Sequence, residues 1–182
     1  MANKKLLAGI DAGTTGVTVM IADTDGNIVG TAYREYPCSY PHPGWVEQDM
    51  ELMWTRMCEA SKEVIAKTGV NPEEIASLGF SSQRGTFVCV DKDLKPLADS
   101  IVWSCGRAGE ELAWILKNLG PDRYHDISGV PLSGLWSYAK MKWVVDRRPK
   151  LLDKTHLIIN GQEFFLHKFG SEDISSDPAS IT

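Results

Sequence analysis

The sequence lacks any apolar run near the roughly twenty residues that a helical membrane span needs. Its N-terminal "MANKKLLAGI" is cut short at Gly9 and Asp11 with no small-residue cleavage site after it, so it reads as a strand and not as a signal peptide. Net positive charge is missing as well: the formal charge is −5 and the basic residues are scattered. That removes the field a polyanion binder needs and leaves room only for a local phosphate site. Cys38, Cys58, Cys89 and Cys105 contain no C-x-x-C pair, and His42, His125, His156 and His167 form no ligand pattern with them. A zinc site and a disulfide framework are therefore not expected, and reduced thiols suit a cytoplasmic protein. There is no internal repeat, low-complexity tract or interdomain linker. What remains, 182 residues with 43% apolar and 24% charged, is the balance of one folded domain or a piece of something larger, with neither nucleic acid nor membrane as a partner.

The positive signals begin with strands. Leu6 to Ile10 is apolar, Val17 to Ala22 alternates around β-branched residues, and Asp25-Gly26 divides it from "NIVGTAYREY". Asp-Gly between two such runs is a strong hairpin signal, so three consecutive antiparallel strands are expected. "YPHPGW" is an irregular connection into a helix that starts after Asp49 and ends at Lys67 and Gly69. "VNPEEI" reads as a one- or two-turn helix capped by Asn71. "SLGFSS" and "TFVCV" read as strands with Arg84 at a strand end between them. A turn at "DKDLKP" and a further strand, "LADSIVW", follow. Helices are expected over Glu110 to Leu119 and Leu132 to Val145, then a strand at "THLIIN" and a helix over "QEFFLHKF". The economical architecture is one α+β layer fold, a mixed sheet led by an antiparallel meander and covered by helices.

Gly13 to Gly16, Gly-Thr-Thr-Gly, bridges the first two strands, which separates it from a P-loop, where the glycine-rich loop opens a helix and a lysine follows. A tight turn of this kind can aim backbone N–H groups and the Thr14 and Thr15 hydroxyls at one point, as a phosphate requires. Asp11 at the strand end could then hold a hydrated Mg2+, which proteins bind through one or two carboxylates plus substrate phosphates. An Asp that caps its own turn explains the same residues, and on the hairpin alone both readings stay open.

Several segments in order resemble the FGGY family of carbohydrate kinases, which contains glycerol kinases and xylulokinases: "GIDAGTTGVTVMIADTDGNIV", "YPHPGWVEQD", "SLGFSSQRGTFVCVD", "PLADSIVWSCGR" and the closing "SSDPASIT". The resemblance implies an actin-like, RNase H-like ATPase fold in which two domains close around ATP and a small sugar or polyol. It implies that Asp11 organises Mg2+, that Gly13, Thr14 and Thr15 approach the nucleotide phosphates, and that Arg84 and Trp103 line the sugar pocket. Gln83 is the weaker member of that set, more a loop-shaping amide, and Arg107 is expected to form a structural ion pair. Phosphoryl transfer is catalysed mainly by positioning and charge neutralisation, so a metal and N–H donors are the parts it needs. Trp45, Trp54, Trp114, Trp136 and Trp143 are read as packing residues. "GWVEQD" is read as a turn and helix entry, although Glu47 with Asp49 has the look of an acid-base pair.

The departures from the family are specific. Gly85 stands where glycerol kinases carry Glu and xylulokinases His, and Thr18 replaces a basic residue common after the first turn. Cys105 stands where sugar kinases often have Asp, and Gln162 takes the approximate place of another Asp. The resemblance also implies a far longer protein whose catalytic Asp lies downstream. The 182 residues are accordingly expected to be an incomplete N-terminal domain, inactive alone, with a homo-oligomer of the parent left open. A non-catalytic actin-like ligand-binding or regulatory module is the alternative. An RNase H-like nuclease would need several strand-borne carboxylates around paired metals, and Asp11 has no evident partners for that.

Overall fold

The structure, a computed structural model, describes residues 5–176. The chain divides into two compact units, residues 1–38 with 51–83 and residues 39–50 with 84–182.

The first unit holds a mixed sheet in the order β3-β2-β1-β5. Strands β1 (Leu6–Ala12), β2 (Gly16–Asp23) and β3 (Ile28–Glu35) form the expected antiparallel meander, and β5 (Ile75–Ser82) pairs with β1 in parallel. The β2–β3 turn is built by Asp23, whose carboxylate accepts from the backbone N–H groups of Asp25 and Asn27 and from the Asn27 amide. Gly26 supplies the left-handed residue, at φ 89°. Alternation then sorts the faces. Ile10, Ala12, Val17, Val19, Ile21 and Ala32 are buried, while Asp11 and Thr18 between them are exposed.

Helix α1 (Met50–Thr68) buries Met53, Met57, Ala60 and Val64, a stripe at the helical period. Its last turn lies against β3, where a Cβ on Gly30 would stand 2.3 Å from Thr68 Cγ2. Gly69, at φ 68°, ends the helix by donating to the Ile65 carbonyl at 2.9 Å. The segment "VNPEEI" is a single 3-10 turn, Pro72–Glu74, capped by the Asn71 side chain as expected.

The second unit has its own sheet, β4-β7-β6-β8, wholly antiparallel: β4 (Glu47–Gln48), β6 (Phe87–Val90), β7 (Ser100–Ile101) and β8 (Leu157–Asn160). Where one mixed sheet was expected there are two sheets. Strand β4, two residues long, is too short to leave a periodic signal in sequence, and β7 is a two-residue part of the strand expected over "LADSIVW". Every residue of β6 is buried, and Phe87, Cys89, Ile101, Cys105, Ala108, Ile115, Tyr124, Ala139, Trp143 and Val144 form one apolar cluster.

Helices α2 (Gly109–Asn118), α4 (Ser137–Arg147) and α6 (Gly161–Lys168) correspond to expected helices, whereas α3 (Pro121–Ser128) and the four-residue α5 (Pro149–Leu152) do not. Gly120 lies just past the expected end of α2 at Leu119. It is also the residue before Pro121, the first position of α3, which is where proline favours a helix start. Helix α4 begins at Ser137 and not at Leu132: Leu132, Leu135 and Trp136 keep helical spacing while lying in a loop. Helix α6 opens with a capping box in which Asn160 and Glu163 satisfy each other's backbone N–H groups. The family-like closing segment lies outside the described residues from Asp177 onward.

No disulfide joins the four cysteines, and no helix among the described residues is long and apolar enough to cross a membrane.

Candidate functional site

Two groups of residues named from the sequence lie in different units, and each is built separately. In the first unit Asp11 sits one residue from the end of β1. It lies across the antiparallel ladder from Thr18 and across the parallel ladder from Ser81. Directly paired positions project to the same side of a sheet, so Asp11, Thr18 and Ser81 share the exposed face. Among the described residues no hydrogen bond or ion pair ends on the Asp11 carboxylate. The turn-capping role left open by the sequence is therefore not how the turn is held.

Tyr36 holds it. Its buried hydroxyl reaches the Gly13 carbonyl at 2.6 Å and the Gly16 carbonyl at 2.9 Å, and its backbone N–H donates to the Thr15 carbonyl at 3.2 Å. Burial, with the Asp11 charge second, pushes the Tyr36 phenol far above its ordinary value, so it stays a donor. The Gly13 N–H closes the turn on the Gly16 carbonyl at 3.0 Å, and Thr14 Oγ1 donates to Gln83 Oε1 at 3.1 Å. Gln83 thus shapes the hairpin, and the Thr14 hydroxyl hydrogen is already engaged. The glycine that sterics demand is Gly16, where a Cβ would come within 2.6 Å of the Arg34 carbonyl oxygen; at Gly13 the nearest atom is an ordinary 3.5 Å away. Sequence reading missed Tyr36, because an aromatic after a strand carries no mark of a hydroxyl aimed back at a turn. Tyr36→Phe should cost about 1–3 kcal/mol, since a buried carbonyl loses its donor. Urea melts check it.

In the second unit Arg84 is exposed, and among the described residues it has no ion pair. Gly85 beside it is left-handed, at φ 70°, and a Cβ there would lie 3.3 Å from Trp103 Cβ, 3.4 Å from the Leu135 carbonyl oxygen and 3.7 Å from Ser137 Oγ. The Trp103 backbone N–H is fixed by Thr86 Oγ1 at 3.1 Å, while the residue remains 36% exposed. Arg84, Gly85, Trp103 and the loop at Leu135 therefore share a small surface of this unit. Leu135, placed on a helix by the sequence, faces Gly85 from a loop.

Lys140 was not singled out either. It is 0% exposed, and its ammonium donates to the carbonyls of Trp103 at 2.9 Å, Gly134 at 2.8 Å and Leu135 at 2.9 Å. A signal existed: it falls beside Ala139 and four residues before Val144 on the buried stripe of α4, where a lysine needs a reason. Burial lowers the amine from 10.5 to about 8, opposed by Cys105 and reinforced by Arg107. Between about pH 8 and 10.5 the unfolded chain holds a proton that the folded chain has released. That amine therefore adds a rise of unfolding free energy with pH across the window. Urea melts there should show the slope in the native chain and lose it in Lys140→Met.

Cys105 and Arg107 are packing groups. The Cys105 sulfur accepts from the Val46 N–H at 3.3 Å and Arg107 Nε at 3.0 Å, and Arg107 pairs with Glu47 at 2.8 Å. Glu47 is thus the partner in the expected structural ion pair. Gln162 lies in the first turn of α6. No group of three or more acidic, His or Cys side chains among the described residues could hold a metal.

This is a mixed α/β chain with the actin-like ATPase fold of sugar kinases. A xyloylose kinase from Brucella ovis superposes with a TM-score of 0.80 at 25% identity, over 88% of this chain and 33% of that one. Gluconate kinase from Lactobacillus acidophilus, at 21% identity, shares the fold with a TM-score of 0.83 over 90% of this chain and 33% of that one. The family model of the N-terminal domain of the FGGY family of carbohydrate kinases matches residues 6–177, and the chain belongs to that family. It is 37% identical to a glycerol kinase of Desulforamulus reducens over 171 residues, 91% of this chain and 34% of the relative. It is 35% identical to a glycerol kinase of Thermococcus gammatolerans over 151 residues, 83% of this chain and 30% of the relative. The chain thus spans about a third of the length of these curated relatives.

Proposed function

We propose that these 182 residues are the N-terminal portion of an ATP-dependent kinase that phosphorylates a hydroxyl of a small sugar or polyol. The observation that carries the reading is the Asp11 carboxylate: exposed, without a hydrogen-bonded partner among the described residues, and set beside a hairpin whose backbone is locked by Tyr36 and Gln83. A carboxylate kept out of its own turn suits a hydrated Mg2+, and a lone carboxylate is the donor set expected where phosphates supply the remaining charge. Mg2+ held there with ATP would neutralise charge on the transferred phosphoryl group. Gly13, Thr14 and Thr15 would approach the phosphates, with Thr15 the better hydroxyl donor because the Thr14 hydrogen is taken by Gln83. Arg84 would donate to sugar hydroxyls, and the exposed face of Trp103 would cover their C–H surface. The general base lies outside these residues, so alone they transfer phosphate slowly or not at all. A membrane, a nucleic acid and oligomer formation have no part in this reading.

The experiment is an ADP-release screen of the full-length kinase over polyols, ketopentoses and aldonates. Turnover with none of them would sink it, as would steady sugar phosphorylation by the 182-residue chain alone. Thr18, opposite Asp11 where no cation then faces the carboxylate, favours a second reading: a ligand-binding or regulatory module without chemistry. Calorimetry with MgATP and with glycerol separates the two, since the module binds one of them and shows no turnover in the full-length protein.

A further inference from the structure

Lys140 has no place in the reading above, yet it is among the most completely enclosed side chains of the second unit. A lysine on a helix normally runs its stem along the surface and leaves the ammonium in water. Here hydration is replaced by three backbone carbonyls, one for each ammonium hydrogen, at 2.8 to 2.9 Å. Among the described residues no carboxylate joins them: the charged and titratable groups that act on Lys140 are the Cys105 thiol and the Arg107 guanidinium. A methionine or leucine could fill the same volume without desolvating a charge. What only the ammonium can do is hold together acceptors that arrive from different segments, Trp103 after β7 and Gly134 with Leu135 before α4. Both segments meet at Gly85, whose absent Cβ leaves 3.3 Å to Trp103 Cβ and 3.4 Å to the Leu135 carbonyl oxygen.

We propose that Lys140 is the positioning residue of the sugar pocket, tying Trp103 to the Gly134–Leu135 loop so that both stand in fixed places around Gly85. This rests on the assignment of Trp103 to the sugar pocket. Lys140 touches no substrate and acts through the main chain of the residues it binds. The neutral amine has one hydrogen too few for three carbonyls, so the frame should loosen as Lys140 loses its proton.

The test uses the 182-residue chain labelled with 5-fluorotryptophan and with 13C at the lysine ε-carbon. Fluorine signals are assigned by Trp103→Phe and, as a reference in the first unit, Trp54→Phe. The expected result is that the Trp103 signal moves with pH at the same midpoint as the Lys140 ε-carbon while the Trp54 signal stays still. A Trp103 signal that is flat while Lys140 titrates overturns the proposal, and this needs no variant to fold. In Lys140→Met the pH response of Trp103 should vanish; its persistence also overturns the proposal. Glycerol and D-xylulose are then added below and above the midpoint. The ligand that shifts the Trp103 signal below it should bind several-fold more weakly above it, and equal affinity on both sides overturns the positioning role. If the Lys140–Trp103 coupling holds and neither ligand moves Trp103, the pocket assignment has failed, and the positioning role with it, although the backbone frame stands.

Discussion

On the proposed kinase reading, Asp11→Ala in the full-length protein should lower kcat by about 10²–10³-fold, the scale seen when one group that stabilises developing charge is removed. Stability should change by no more than about 0.5 kcal/mol. The second half follows from the geometry of β1. The Asp11 side chain is exposed, and among the described residues it accepts no hydrogen bond, so its removal orphans no donor. The hairpin keeps its clamps, because the Gly13 and Gly16 carbonyls are held by Tyr36 and the Thr14 hydroxyl by Gln83. The Tyr36 phenol loses one of the influences that raise it, but burial is the larger and remains. Activity and stability thus separate cleanly at this residue. Asp11→Asn tightens the test by keeping size and removing only charge, and should fall nearly as far. Initial rates at saturating MgATP and sugar, beside thermal melts, decide it. A near-normal rate takes Asp11 out of the mechanism, whereas a large loss of stability would mean that the carboxylate is structural after all.

How far the sequence could have gone differs between the two units. The meander was legible because Leu6 to Ile10 is apolar, Val17 to Ala22 alternates and Asp25-Gly26 marks the turn into β3, local signals that tertiary packing did not overrule. In the second unit the determinants are long-range. Strand β4 pairs with β7 through two residues, which no window can detect. Leu132, Leu135 and Trp136 imitate a helical face while the loop they occupy is held by Lys140 and by the Trp136 indole N–H on the Pro131 carbonyl. The same division runs through the site. Asp11, Gly13 and Thr15 stand out as a motif, whereas Tyr36 and Lys140 work through hydrogen bonds between distant residues; the buried stripe of α4 marks Lys140 as out of place, but only the partners show what each side chain holds. Thr18 lies between the two cases: its identity was visible as a departure, but its meaning depends on the ladder that puts it opposite Asp11.

Arg107→Ala should destabilise the chain by about 3 kcal/mol, the low end of what breaking a buried ion pair costs. The Arg107 side chain is 1% exposed and its Glu47 partner 18%, so the carboxylate retains some access to water and the penalty is not the full one. Three further contacts depend on the same guanidinium. Its Nε donates to Cys105 Sγ at 3.0 Å, and its carbon stands 4.1 Å from the Trp45 ring centroid and 4.9 Å from that of Trp143. Those two rings meet edge to face, with centroids 5.0 Å apart, so the cation is held within an aromatic corner that water does not refill easily. Removing it also leaves Glu47 as an unbalanced negative charge near Asp99, whose carboxyl is raised first by burial and then by Asp49 and Glu47. The Asp99 carboxyl should therefore rise further in the variant. Arg107→Met preserves much of the stem packing but still orphans Glu47, so it should recover only part of the loss. Combining Arg107→Met with Glu47→Gln removes the unpaired charge, and the double variant should be more stable than Arg107→Met alone; urea melts of the native chain, Arg107→Met, Glu47→Gln and the double variant form the cycle. A loss under about 1 kcal/mol in Arg107→Ala would make the pair no stronger than a surface salt bridge.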